Sequence, residues 1–393
     1  MTSQKPLGQL SHLHDMMNQL LMSVPEYDAC KTWHPGLASI AWYLGRSMFL
    51  ETYWLREVVQ GQPDITDRVR PIFTPGELAL PDRQNRLPPR DHLLNWALEL
   101  QEENLMRLAN PKLLGEHPLL EGDRITHLIL QGHAWCYEKM LAVLTQRRLR
   151  ETANYLVHRP LSLMHPSFDL AQVSQGHYRI GARDDATAPD NETPPQIVEL
   201  SSFRIACQPA ANGHWLAFQE AGGYDDRTLW SGQGWPWRQG APSHPDHWRK
   251  DATGNWYGTG VNGPFDLTAT EPVTGINRFE AEAFANWISN IGGALSAAVL
   301  QHEYQWEVAA RTRVIQEYGR CWEWCANTFQ PHTGYSPPDD PEAQTREFDN
   351  RHYSLKGASL HTQRPLKRAS FRNRSLPEHR FGFSGTRLVF PPE

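Results

Sequence analysis

The sequence predicts an α+β protein in two parts: a four-helix bundle over residues 1–157, then a loop-rich α/β part over residues 158–393. Three observations carry this. Apolar residues recur at helical spacing through the first part, and that periodicity stops after Pro160. The second part is dense in Trp, Gly and Pro, with short β-branched and aromatic runs between turn residues.

Leu10, Leu13, Met17, Leu20 and Leu21 mark the first helix. Ile40 to Val59 is apolar around most of its circumference, as a helix inside a bundle is. His92 to Leu108 and Thr126 to Leu149 give two further long periodic stretches, with Asp91 placed to cap the third helix. The stretch from Gln60 to Arg90 is rich in Pro, Asp and Arg and reads as a long crossover loop. Four helices with one long connection make a bundle. Beyond Pro160, Tyr178–Ile180, Ile197–Leu200 and Phe203–Ala206 read as strands, and Gly181 to Gln196 as an acidic surface loop. Phe279 to Ile291 reads as the one clear helix of this part, and Val299 to Arg311 as a second. The remainder has to fold by burying its aromatic side chains.

A net charge of −6 argues against a nucleic-acid partner. The five cysteines (30, 136, 207, 321 and 325) include no Cys-x-x-Cys pair and fit reduced thiols in a cytoplasm. No basic start leads into an apolar run, and no window approaches 18 uncharged apolar residues. Neither a signal peptide nor a membrane span is therefore expected.

Several blocks occur in a fixed order in the second part. They are Asp190-Asn-Glu-Thr-Pro194, Gly222-Gly-Tyr224, Leu229-Trp-Ser-Gly-Gln-Gly-Trp235, Leu300-Gln-His-Glu-Tyr-Gln-Trp-Glu-Val-Ala-Ala-Arg311, Gly319-Arg-Cys-Trp-Glu-Trp-Cys325, Ser370-Phe-Arg-Asn-Arg374 and Gly382-Phe-Ser-Gly-Thr-Arg-Leu-Val-Phe390. This series resembles the formylglycine-generating-enzyme (sulfatase-modifying factor) domain, which has a C-type-lectin-like fold. In particular it resembles the version found in sulfoxide synthases of the ergothioneine, ovothiol and selenoneine type. Trp322 and Trp324 sit at alternate strand positions and read as core, and Arg387 as a buried structural arginine. The resemblance implies a loop at Arg372 and Asn373 that reaches the active site, where an Arg fork can hold a carboxylate. It also places His332 and the catalytic candidate Tyr335 there. Formylglycine oxidases use a cysteine pair for copper. Near those positions this chain has Ser359 and His361, so that activity is not expected.

In the first part, Ile40 to Arg56 resembles the second helix of a DinB-like bundle, with Trp42, Leu44, Gly45 and Glu51 in agreement. Leu130-Gln-Gly-His-Ala-Trp-Cys-Tyr-Glu-Lys-Met140 resembles the family's Gln-His-x-x-x-His-x-Glu signature, with Gln131 and Glu138 matching. The family's three iron-binding histidines fall on Arg46, Gly132 and Cys136. A guanidinium repels a cation, glycine offers no ligand, and one thiol cannot hold iron alone. No metal is therefore expected from these positions, and iron only if the ligand assignment is wrong. His133, Cys136 and His127 are the candidates for a relocated site, with His34 and the His12/His14 pair further off. Arg46 admits two readings: a structural ion pair with Glu138 or Glu51, or a contact to an anionic ligand. Arg83 and Arg86 resemble arginines that hold thiol-substrate carboxylates in some relatives.

The resemblance implies a non-haem iron enzyme that joins a histidine derivative to a thiol-type substrate using dioxygen, or chemistry diverged from it. Its partner would be an amino-acid-derived small molecule. In that reading Arg46, Glu138, His332, Arg372 and Asn373 bind substrate, and Cys136 acts as a nucleophile with its pKa lowered by Arg46. The alternative is a catalytically silent homologue that binds a metabolite or a partner subunit.

Overall fold

A computed structural model describes residues 6–75, 80–151, 154–183, 185, 187–315, 318–337 and 347–392, without the side chains of Leu80, Pro81 and Arg83. It divides into two compact units. Met1–Arg147 and Thr362–Leu366 form a helical unit, and Arg148–His361 with Lys367–Glu393 form a mixed unit. Among the described residues no helix is long and apolar enough to cross a membrane.

The helical unit contains α1 (Pro6–Met22), α2 (Glu26–Ala29), α3 (Ile40–Thr52), α4 (Asp64–Phe73), α5 (Leu80–Asn85), α6 (Arg90–Ala109) and α7 (Arg124–Arg148). Helix α3 is buried almost all round, as its sequence predicts, and runs on into a π-helical stretch at Tyr53–Val59. Ser39 caps it, its side chain accepting from the Trp42 amide. Asn18 of α1 and Gln101 of α6 exchange amide hydrogen bonds inside the bundle, and Arg147 of α7 pairs with Asp28 of α2. Two expectations need correction. The crossover from Gln60 to Arg90 is not all loop, because α4 and α5 lie within it. Asp91 does not cap α6: Pro89 holds the cap position, and Asp91 lies in the first turn. Gly45 is required where α4 meets α3, since a Cβ there would come 2.2 Å from the Phe73 ring.

The mixed unit begins with β1 (Leu170–Val173), β2 (Gly176–Ile180), β3 (Gln196–Leu200) and β4 (Phe203–Ala206). Helices α8 (Asn212–Glu220) and α9 (Gly234–Gln239) follow, then β5 (Trp248–Lys250), β6 (Trp256–Gly260), β7 (Gly263–Asp266) and α10 (Arg278–Ile291). The rest is β8 (Val299–Leu300), α11 (Glu303–Arg311), β9 (Trp322–Thr328), β10 (Tyr353–Lys356), β11 (Asn373–Ser375), β12 (Ser384–Thr386) and β13 (Leu388–Phe390). The strands form sheets ordered β1-β4-β13-β8, β11-β10-β9-β12, β5-β6-β7 and the pair β2-β3. The expected helix from Val299 thus splits into a short strand and α11, with His302 capping the helix through its side chain. Helix α8 is an addition that the sequence reading did not include.

Strand β9 organises the unit. Trp322 and Trp324 are buried on one face, and Glu323, fully buried, points the other way. Arg387 grips Glu323 with two parallel bonds of 2.8 and 2.9 Å and donates to the Ala206 carbonyl. Trp306 and Gln301 donate to the same carboxylate. Gly385, opposite Glu323 in β12, is held to glycine because a Cβ would come 2.5 Å from the Val273 carbonyl oxygen.

Arg387→Met strands the Glu323 charge and is expected to lose about 3–5 kcal/mol in urea denaturation. Arg387→Lys should recover only part of that, since an ammonium cannot reproduce the fork. Glu280, in the capping box of α10, accepts from Tyr224 at 2.7 Å and from the Asn277 amide at 2.9 Å. Burial pushes its carboxyl up from 4.5 to about 7, against the pull of Arg380. The folded state therefore holds this proton more tightly than the unfolded chain. The resulting stability is complete below the unfolded value and lost as pH rises through about 7, on the order of 3 kcal/mol in all. Glu280→Gln should flatten that slope in unfolding measured across pH 5 to 8 (about three units).

Candidate functional site

In α1 the buried stripe is Leu10, Leu13, His14, Met17, Asn18 and Leu21, so helical spacing carries His14 inward with its apolar neighbours. Helix α3 is apolar on most faces, and Glu51 is its one fully buried carboxylate. Helix α7 turns Ile129, His133 and Cys136 inward. The three helices bring His14, Glu51 and His133 together. Glu51 Oε2 lies 2.8 Å from His14 Nε2 and 3.0 Å from His133 Nε2. The two imidazole rings lie 5.0 Å apart at 53°. One ligating atom from each residue fits within a 4.8 Å span.

The hydrogen-bond inventory of this cluster is incomplete. His133 Nδ1 faces the Ile129 carbonyl at 3.0 Å, an acceptor, which assigns the ring proton to Nδ1 and leaves Nε2 as a lone pair in the neutral ring. The 3.0 Å approach of Nε2 to Glu51 is not aligned as a hydrogen bond, and Nε2 is buried without a partner. His14 Nδ1 and Glu51 Oε1 are buried without partners as well. Burial alone would raise the Glu51 carboxyl, but His14 foremost overcomes it, and the carboxyl is held at about 2. For His133, burial lowers the pKa and outweighs the opposing pull of Glu51.

The other candidates of this unit sit apart from that cluster chemically. Arg46 is buried, donates to the Phe73 carbonyl at 3.0 Å and lies over the Phe49 ring. Glu51 is engaged by the two histidines and not by Arg46. Glu138 accepts from Thr362 at 2.8 Å. Cys136 is fully buried, and burial pushes its thiol up to about 12 against the pull of Arg46 and Lys139. Its resting form at neutral pH is the thiol. His127 is half-buried, and Arg86 is exposed; the Arg83 side chain lies outside the described residues. A guanidinium, a glycine and a buried neutral thiol at positions 46, 132 and 136 do not fit a divalent metal ion.

In the mixed unit, Arg372 is 1% exposed. It holds Glu303 with bonds of 2.7 and 2.8 Å and donates to the carbonyls of Asn191 and Gln330. Burial raises the Glu303 carboxyl, yet Arg372 brings it to about 2. Asn373 is in β11, its side chain accepting from the Arg374 amide. His332 Nδ1 meets the Pro194 carbonyl at 2.9 Å, and burial lowers its pKa. Tyr335 donates to Asp190 at 2.6 Å, and burial pushes its phenol upward.

In the sequence, His133 stands as a candidate beside Cys136 and His127, His14 only as one of the His12/His14 pair, and Glu51 as a matching position and a partner for Arg46. The available signal was a His in the apolar stripe of α1 and a Glu inside a helix that is apolar all round.

Residues 166–319 match the sulfatase-modifying factor enzyme 1-like domain. The chain is 29% identical over 256 residues to the hercynine oxygenase of Mycobacterium tuberculosis, covering 54% of this chain and 58% of that protein. It is 30% identical over 270 residues to the hercynine oxygenase of Mycolicibacterium smegmatis, covering 56% and 60%. The chain thus spans less than two thirds of the length of these curated relatives. A solved structure, PvdO from Pseudomonas aeruginosa, aligns with a TM-score of 0.42 at 14% identity, over 60% of this chain and 100% of its own.

If the buried cluster serves function and not stability, replacing all three members together with apolar residues (His14→Leu, Glu51→Met, His133→Leu) should leave the melting temperature unchanged or raise it. The expected gain is about 0–4 kcal/mol. His14→Leu alone, which removes one donor from the buried carboxylate, should instead lose about 3 kcal/mol. A large loss in the triple variant would mark the cluster as a structural tie.

Proposed function

We propose that the protein is an oxidative enzyme of hercynine-related metabolism. In this reading it joins a histidine-derived betaine to a thiol- or selenol-type substrate, and its helical unit is a DinB-like bundle that has lost the three-histidine site. The observation that carries the reading is the His14–Glu51–His133 cluster. Three ligand-type side chains meet in a core with buried polar atoms left unsatisfied, an arrangement that packing alone does not favour. The half-length similarity to hercynine oxygenases supports the choice of a hercynine-type substrate. The overall reaction would exchange a ring C–H and a thiol S–H for a C–S bond, with dioxygen delivering one oxygen to sulfur and the other to water.

The second reading is a catalytically silent homologue. It is favoured by the residues at positions 46, 132 and 136 and by Arg372, whose donors are taken up by Glu303 and two backbone carbonyls. The two readings separate in one assay. The purified protein is incubated aerobically with histidine betaine, cysteine or selenocysteine, and ferrous iron, and the products are read by mass spectrometry. The expected outcome is a product carrying a new C–S or C–Se bond, lost by at least roughly 100-fold in His133→Ala. Cys136→Ala should retain turnover within about twofold, because a thiol held near 12 is not an available nucleophile. No product from the folded protein with any of these donors would leave the silent reading.

A further inference from the structure

We propose that His14, Glu51 and His133 bind one divalent first-row transition-metal ion, through the two Nε2 atoms and the Glu51 carboxylate. This goes beyond the functional reading and stands independently of the substrate.

The donor set is two imidazoles and a carboxylate, which suits Fe²⁺, Co²⁺, Mn²⁺ or Zn²⁺. The spacing fits as well. Two donors at right angles, each about 2.1 Å from an ion, lie roughly 3.0 Å apart. The two His-to-Glu51 separations are 2.8 and 3.0 Å. His133 is also oriented as a ligand should be: its Nδ1–H is committed to the Ile129 carbonyl, which fixes the tautomer and aims the Nε2 lone pair at the cluster.

A purely structural explanation fits less well. Two hydrogen bonds from His to Glu would satisfy the carboxylate, but His133 Nε2 makes none, and Glu51 Oε1 is left bare. Among the described residues, Glu51 is paired with no Lys or Arg. A cation between the three groups would supply both the missing positive charge and a partner for the Nε2 lone pair.

The site draws on α3 and α7, the helices where the resemblance looks for iron ligands, but on different residues, and adds α1. Gly132 points toward Leu50, where a Cβ would come 3.4 Å from the Leu50 side chain. The next residue on α7, His133, meets the next residue on α3, Glu51. One step along α7, from position 132 to His133, turns a side chain by about 100°, and the steps along α3 from position 46 to Glu51 turn it by about 140°, so the cluster lies on different faces of both helices from the positions of the resemblance.

The test is anaerobic calorimetry of tag-free, metal-stripped protein with Fe²⁺ alone, alongside Co²⁺ absorption spectra, with no substrate present. The expected result is one ion per chain and Co²⁺ d–d bands of a nitrogen–oxygen site. Affinity should fall at least roughly 100-fold in His14→Ala, His133→Ala and Glu51→Gln, each shown by circular dichroism to be folded. Cys136→Ala and His127→Ala should bind as the parent does. Failure of the folded parent to bind any of these ions would overturn the inference, as would binding that survives Glu51→Gln and His133→Ala but is lost in Cys136→Ala. Metal binding without product formation would defeat the functional reading and leave this site standing. Product formation by a folded protein that binds none of these ions would do the reverse.

Discussion

A carboxylate taken out of water must be met by positive charge or by enough donors to replace its hydration, and much of this protein's interior is arranged around that requirement. In the mixed unit the answer is a cation in each of four cases. Arg387 forks onto Glu323, Arg372 onto Glu303 and Arg368 onto Glu192, while Lys356 and Arg311 share Glu307. All but the Arg311–Glu307 contact tie together segments far apart in sequence. Arg387 joins the end of the chain to β9, and Arg372 joins its loop to the start of α11 and to the Asp190–Pro194 loop. A loop-rich unit with short strands has few continuous ladders, so buried ion pairs with backbone carbonyls as extra acceptors take over the work of fixing the loops.

Set against these four, Glu51 stands out. It is as buried as Glu323, yet its neighbours are two imidazoles, of which one presents a lone pair. Among the described residues, guanidinium or ammonium groups meet those four carboxylates and none meets Glu51. Glu280 is the intermediate case. Tyr224 and a backbone amide satisfy it, Arg380 approaches only to 3.5 Å, and its carboxyl shifts upward instead of staying fully ionised.

Parts of this were legible in the sequence because they rest on local pattern. The apolar run of α3, the periodicity of α6 and α7, and the strand at Phe203–Ala206 all follow from spacing within a single element. The Trp322/Glu323/Trp324 alternation placed two aromatics in the core and left Glu323 to find a partner. Helices α4 and α5 were not legible. Helix α4 carries Asp64, Asp67, Arg68 and Arg70 with Pro71 inside it, so composition argued for a loop while burial of Thr66 and Phe73 decided otherwise. Helix α8 is nine residues long and too short to establish a period among Gly and Trp.

The metal-type cluster was only half legible, for a reason that is geometric. Its three members are separated by 37 and 82 positions, and no spacing rule joins residues on three different helices. Position 133 was weighed through its own helix, where the i,i+3 relation pointed to Cys136. What decides its partner is which side of α7 faces α3, and on that side Gly132 lies near the Leu50 side chain and His133 meets Glu51. With glycine at 132, α7 has no side chain to place at the position where the resemblance expects a ligand. His133 is then the α7 imidazole aligned with the carboxylate of α3, and the apolar stripe of α1 brings His14 to the same point. The proposed site and the ligand positions of the resemblance thus lie on different faces of α3 and α7, and helix rotation per residue is enough to separate them within one helix pair.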